Sequence, residues 1–209
     1  MAYIMVYDEE NTVNQIEPAV LAQALKGSSE AFTQLVEAYQ RPVYNLCYRM
    51  LGDPDEAEDA AQETFVRAYD GMGRYDRQRS FSTWLLSIAA HYCIDQLRKR
   101  RLTFISMDST PQLDPPDLGP GPESALSMSE EQRRVKSLLG SLSTQDRAAV
   151  VMYYWYDFSY DEIAATLKMT VSAVKSRLHR ARLAMAQSWS EQESKAMLAE
   201  RKHYESPAF

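Results

Sequence analysis

Several features are scarce in this 209-residue chain, and each scarcity removes a class of function. Only two cysteines occur, Cys47 and Cys93, too few for a disulfide framework or a four-ligand zinc site, and a reduced, cytoplasmic setting is expected. The three histidines, His91, His179 and His203, lie in separate segments, and none stands in a nucleophile–base arrangement. No glycine-rich phosphate loop is present. No apolar run approaches the roughly 18–20 residues that a membrane-spanning helix needs, so no membrane insertion is expected. Met1 to Glu10 has no basic residue and no long apolar stretch, so it does not read as a secretory signal. The abundant carboxylates fall on expected exposed helix faces, without a desolvated pocket to tune them for acid–base work. No catalytic residues, metal site or cofactor are therefore expected.

What the chain does contain is charge sorted by sign. The overall balance is −6, which taken alone argues weakly against a nucleic-acid partner. Locally, however, Arg98, Lys99, Arg100 and Arg101 form a run of four bases. Lys175, Arg177, Arg180 and Arg182 supply four more between Ser172 and Leu183, with no acid among them. Leu51 to Glu63 holds Asp53, Asp55, Glu56, Glu58, Asp59 and Glu63 with no base. Two basic patches and one acidic helix suit a protein that touches a polyanion and a basic protein surface at separate places.

Proline divides the chain. Five of the nine prolines fall between Pro111 and Pro122, and Asp108 to Glu123 carries four acids and no base. Such a stretch buries too little apolar surface to offset its ordering entropy, so a flexible acidic linker over 102–126 is expected. It separates two all-α domains, 18–101 and 127–187. The leader at 1–17 reads either as disordered or as a small contact segment, and the extension at 188–209 either continues the last helix and packs back on a domain, binds a regulator, or frays. In the first block Phe32, Leu35, Val36 and Tyr39 show three–four spacing, repeated by Val43, Leu46, Cys47, Met50 and Leu51. Asp53-Pro54-Asp55-Glu56 reads as a helix start, with Ala57, Ala60, Ala61, Phe65 and Ala68 as the inner stripe and Gly71 and Gly73 as the stop. Phe81, Trp84, Leu85, Ile88, Tyr92 and Leu97 form the expected inner face of the next helix.

The second block reads as four helices near 127–140, 144–156, 159–167 and 171–187, with capping-box patterns at Ser143…Asp146 and Ser159…Glu162. The last two have helix-turn-helix spacing. Lys175, Ser176, His179 and Arg180 project outward from the final helix, flanked by Arg177 and Arg182, and Ser172 is placed to cap it. A helix of this kind fits the major groove, with basic side chains on phosphates. A second candidate lies at 74–84, where Tyr75, Phe81 and Trp84 alternate with Arg74, Arg77, Arg79 and the polar Asp76, Gln78 and Ser80. Aromatic and guanidinium planes among hydrogen-bonding groups suit unstacked bases. The acidic face of Asp55, Glu58, Asp59, Gln62 and Glu63 suits a basic partner helix.

These segments carry a resemblance. Asp53 through Tyr69 resembles the second region of bacterial sigma factors. Phe81-Ser82-Thr83-Trp84-Leu85 with Asp95 to Arg101 is similar to the promoter-melting part of that region, and Tyr160 to Arg182 to the fourth-region helix-turn-helix. The short length places the chain with the extracytoplasmic-function (ECF) group. The resemblance implies that Asp55, Glu58, Asp59, Gln62 and Glu63 dock on the clamp helices of core RNA polymerase. It implies that Asp76 to Ser80 captures a flipped minus-ten base, while Arg74, Tyr75, Phe81, Trp84, Arg98, Lys99, Arg100 and Arg101 support opening and grip the duplex. Ser172, Lys175, Ser176, Arg177, His179 and Arg180 would meet the minus-thirty-five element, with the polymerase flap as a further contact. Promoter DNA and an anti-sigma factor are the other implied partners. Two rival readings are a stand-alone helix-turn-helix regulator with an N-terminal sensing domain, and an adaptor without DNA contacts.

Overall fold

The computed structural model describes residues 17–107 and 130–204, with side chains placed for 17–102 and 132–194. The described elements are helical throughout: α1 Pro18–Ala24, α2 Ser29–Leu51, α3 Pro54–Gly71, α4 Phe81–Met107, α5 Glu130–Gly140, α6 Thr144–Tyr156, α7 Tyr160–Leu167 and α8 Val171–Tyr204. The leader up to residue 16, the segment 108–129 and residues 205–209 lie outside them.

Local chemistry sets the helix ends. Ser28 caps α2 by accepting from the Ala31 amide at 3.2 Å. Gly52 ends it at φ 78°, a conformation that disfavours a side chain. One residue later Asp53 accepts from the Glu56 amide at 3.0 Å, and Pro54 opens α3 as expected. A 3-10 turn at Met72–Arg74 follows α3. The alanine stripe of α3 is buried, and its short side chains let α3 lie close against α2 and α4. Leu35, Leu46 and Met50 of α2 and Leu85 and Leu86 of α4 fill that space almost without exposure, each contributing about 1.5–3 kcal/mol.

In the second block Ser159 and Glu162 form a reciprocal capping box. Ser143 caps α6 through the Asp146 amide at 3.2 Å, but Asp146 spends its carboxylate on the Ser143 hydroxyl and on Arg177 rather than reaching back to the Ser143 amide. The helix-turn-helix turn has no glycine. Lys168 takes the left-handed conformation itself at φ 53°, at a cost of about 1 kcal/mol. Thr170, not Ser172, caps α8: its hydroxyl accepts from the Ala173 amide at 3.2 Å.

Three features add to the expected helices. α4 stays helical to Met107, past the expected boundary at 101. α8 continues to Tyr204, and its extension returns to α5, where Arg134 lies over Trp189 at 4.7 Å and Gln192 donates to the Ser137 hydroxyl at 3.0 Å. The inner face of α4 is wider than the stripe read from periodicity. Leu86, Ala89, Ala90, Cys93 and Ile94 are buried, whereas Trp84, Ile88, Tyr92 and Leu97 are only partly so.

The cause of that width is the packing of the two blocks on each other. α6 lies against α2 and α4 on one side and against α7 and α8 on the other. Ala148, Ala149, Val150, Val151 and Met152 are consequently all buried, five residues in succession, because partners surround that stretch of helix.

Candidate nucleic-acid and docking surfaces

On α3, Asp55, Glu58, Asp59 and Gln62 are exposed, and Glu63 is half-exposed in a 2.7 Å ion pair with Arg67. The carboxylates are thus displayed rather than tucked beneath the protein's own packing. Val66 and Tyr69 continue this face, 57% and 52% exposed. Sequence reasoning passed over them, although their spacing of four and then three residues beyond Gln62 puts them on the same side. The surface is therefore an acidic strip ending in an apolar tip, suited to a basic helix that also carries apolar side chains. Glu56 turns away from it and pairs with Arg100.

The loop that precedes α4 is built around its own backbone. Asp76 accepts from the Gln78 amide at 2.9 Å, the Tyr75 hydroxyl donates to the Arg79 carbonyl at 2.5 Å, and Ser80 accepts from the Thr83 amide at 3.1 Å, capping α4. This leaves Arg74, Asp76, Arg77, Gln78, Arg79 and Ser80 exposed. Tyr75, Phe81 and Trp84 form one aromatic cluster with ring centroids 5.2–5.7 Å apart. Tyr39 packs beneath it at 5.4 Å from Phe81, and burial, with Asp76 nearby, raises the Tyr75 hydroxyl above its ordinary value. Phe81 is only 6% exposed, so it supports the loop from below and presents no stacking face in this conformation.

At the far end of α4, Arg98, Lys99 and Arg101 are exposed. Arg100 does not join them, because its guanidinium is half-buried against Glu56. Burial lowers its pKa, and Asp53 counteracts that. On α8, Ser172, Lys175, Ser176, His179 and Arg180 are exposed, opposite the buried Val174, Leu178, Ala181 and Met185. Lys175 lies over the Tyr160 ring at 5.4 Å, so α7 steadies the first turns of α8. Arg177 departs from this set: it donates to Asp146 at 2.9 Å, both side chains are largely covered, and it ties α8 to α6.

The structure brings two of these surfaces close together. α7 sits on α4 beside the base of the 76–80 loop, with Thr83 donating to Glu162 at 3.0 Å. No group of side chains among the described residues is arranged to hold a metal ion. No helix among them is long and apolar enough to cross a membrane.

Comparison with known proteins agrees with this layout. The Sigma-70 region 2 family matches residues 35–103, and the Sigma-70, region 4 family matches residues 132–185. The ECF RNA polymerase sigma factor SigW of Bacillus subtilis (strain 168) is 36% identical over 176 residues, covering 79% of this chain and 92% of that protein. Among solved structures, CnrH in complex with the cytosolic domain of CnrY is similar with a TM-score of 0.60 and 29% identity, over 83% of this chain and 96% of that one. The sigma factor RpoE in complex with the anti-sigma factor NepR, from Bartonella quintana, shares the fold with a TM-score of 0.61 at 22% identity, over 77% of this chain and 98% of that one.

Proposed function

Because this chain belongs to the ECF group of the sigma-70 family, we propose that its separate surfaces divide the work of transcription initiation. As a sigma factor it binds core RNA polymerase, directs it to specific promoters and assists strand opening. The acidic strip of α3, with Asp55, Glu58, Asp59, Gln62 and Glu63 outward, docks on the clamp helices of the largest subunit, and Val66 and Tyr69 extend that contact. The helix-turn-helix half meets the flap and the minus-thirty-five element. Lys175, Ser176, His179 and Arg180 enter the major groove there, and Ser172 lies at the N-terminal end of the same face.

Opening the minus-ten element costs about 1.4 kcal/mol of stacking per base-pair step. The exposed loop Asp76 to Ser80, rigidified by its own hydrogen bonds, offsets part of that cost by receiving an unstacked base, with Arg74, Arg77 and Arg79 on the backbone. Trp84 and Tyr75 hold the loop in place, and Arg98, Lys99 and Arg101 grip the adjoining duplex. No nucleotide hydrolysis is needed, since binding free energy drives the step. The protein acts in the cytoplasm, and an anti-sigma factor is its expected regulator.

The observation that carries this reading is the simultaneous outward display of the α3 carboxylates and of the basic face of α8, on one chain with both family regions. The test is transcription in vitro with core RNA polymerase. Promoter-specific transcripts are expected from the parent protein, and at least a ten-fold loss from Glu58→Lys with Asp59→Lys. Binding to palindromic DNA as a dimer, without transcripts, would favour the stand-alone regulator instead.

A further inference from the structure

We propose that Tyr44 belongs to the polymerase-docking surface, its ring receiving the flat face of an arginine guanidinium from core RNA polymerase while Glu58 and Asp55 meet the charge. The inference rests on the sigma-factor reading above and adds to it an aromatic receptor on α2, beside the α3 strip.

Two helices build the receptor. Tyr44 stands about two turns before the end of α2 and Glu58 about one turn into α3, with only Gly52 and Asp53 between the helices. The hairpin therefore brings the ring alongside the acidic strip. Burial raises the Tyr44 hydroxyl above its ordinary value, and the charges of Glu58, Asp55 and Asp53 raise it further, as expected for a phenol beside carboxylates. Tyr44 lies parallel to Tyr48, with ring centroids 6.2 Å apart and planes 6° from each other. The ring is half-buried, whereas Asp55 and Glu58 are exposed, so aromatic surface and carboxylates meet solvent together.

The neighbouring ring shows what this pair accepts. Lys136 holds its ammonium 5.8 Å from the centre of the Tyr48 ring. Burial lowers the pKa of that lysine, and the nearby charge of Asp53 counteracts the lowering. A cation over a tyrosine ring with a carboxylate at hand is thus already present at Tyr48. Tyr44 repeats the arrangement one helical turn earlier, with Glu58 and Asp55 in the part of Asp53, but none of the cations of the described residues lies over its ring. Exposed carboxylates by themselves attract any cation from water. A ring beside them favours a flat, weakly hydrated one, because a guanidinium can stack on the ring while its edge donates to carboxylate oxygens. The strip continues into this corner, so an arginine near one end of a basic docking helix would meet α2 and α3 at once. Val66 and Tyr69 serve apolar side chains at the other end.

The test titrates core RNA polymerase into the full-length protein carrying a dye at its N-terminus, with binding followed by fluorescence anisotropy. Tyr44→Leu keeps an apolar side chain without a π face, and is expected to weaken core binding about three- to ten-fold while Tm stays close to the parent's. Tyr44→Met makes the same comparison should the leucine variant melt early. Tyr44→Phe should bind within about two-fold of the parent, since the ring and not the hydroxyl receives the cation. Glu58→Gln should weaken binding in the parent and much less in Tyr44→Leu, because ring and carboxylate grip one guanidinium. Parent-like binding by Tyr44→Leu and Tyr44→Met, or additive losses from Tyr44→Leu and Glu58→Gln, overturns the receptor while leaving the sigma-factor reading in place. Absence of core binding by the parent protein would instead overturn that reading, and the receptor with it.

Discussion

Arg147 is the side chain on which both the stability and the packing of the two blocks converge. It lies in the first turns of α6, is 6% exposed, and donates to two carbonyls: Met50 in the last turn of α2 at 2.6 Å, and Gly140 at the end of α5 at 3.0 Å. Both oxygens belong to helix C-termini, where intrahelical donors run out and the backbone dipole favours a cation. Burial lowers the pKa of this guanidinium, and the like charge of Arg100 lowers it further, so part of the gain is spent on desolvation. Two charge-assisted hydrogen bonds contribute about 1.5–3 kcal/mol each. With the desolvation offset, Arg147→Ala should lower unfolding stability by about 3 kcal/mol. For a protein of this size that corresponds to a fall of roughly 6–12 °C in Tm. Arg147→Lys keeps the charge but not the fork, and should lose about half as much. Thermal and urea melts followed by far-UV circular dichroism measure both. Should Arg147→Ala stay within about 0.5 kcal/mol of the parent, the double-capping role is refuted.

On α8 the sorting of arginines predicts opposite outcomes for neighbours. Arg180→Ala should leave Tm nearly unchanged, because its side chain is exposed, while reducing the salt slope of holoenzyme–promoter binding by about one for the phosphate no longer gripped. Arg177→Ala should instead cost about 1 kcal/mol of stability through the missing Asp146 pair, measured by urea denaturation. Burial alone would raise the Glu162 carboxyl, but hydrogen bonds from Ser159 and Thr83 bring it below the ordinary glutamate value. Its stabilisation is therefore present above the unfolded glutamate pKa of about 4.3 and lost as pH falls through the depressed folded value. Glu162→Gln should flatten the pH dependence of Tm in that acid range, and an unchanged profile would contradict the assignment. A hydrogen bond with Cys47, reinforced by burial, pushes the Cys93 thiol well above its ordinary value, so aromatic disulfide reagents at neutral pH should label it far more slowly in folded than in urea-unfolded protein.

Much of the architecture was legible in the chain because it is local. Asp53-Pro54 and the Ser159…Glu162 box start helices through atoms three residues apart, and the structure forms those bonds. The outward set on α8 follows from a 3.6-residue period, and its exposure agrees. Where the structure adds to the reading, the deciding partner is distant in sequence. Nothing around Arg100 reveals that Glu56 will claim it, nor around Arg177 that Asp146 will. Phe81 reads equally well as a stacking platform and as core, and Tyr39 from another helix resolves the choice. The burial of Leu86, Ala89 and Cys93 does not follow a single stripe because α4 is covered from more than one side.

The sequence by itself determined the helices, most of their ends, the two-block division and the sign of each surface, since these depend on residue type and short spacing. The tertiary structure decided which charges remain free for partners and that the two blocks lie together. Those outcomes depend on groups that meet across roughly 30 to 100 residues of chain, as Arg177 meets Asp146, Thr83 meets Glu162 and Arg147 meets the Met50 carbonyl. No local pattern encodes such a meeting, because it is fixed by the packing of whole helices.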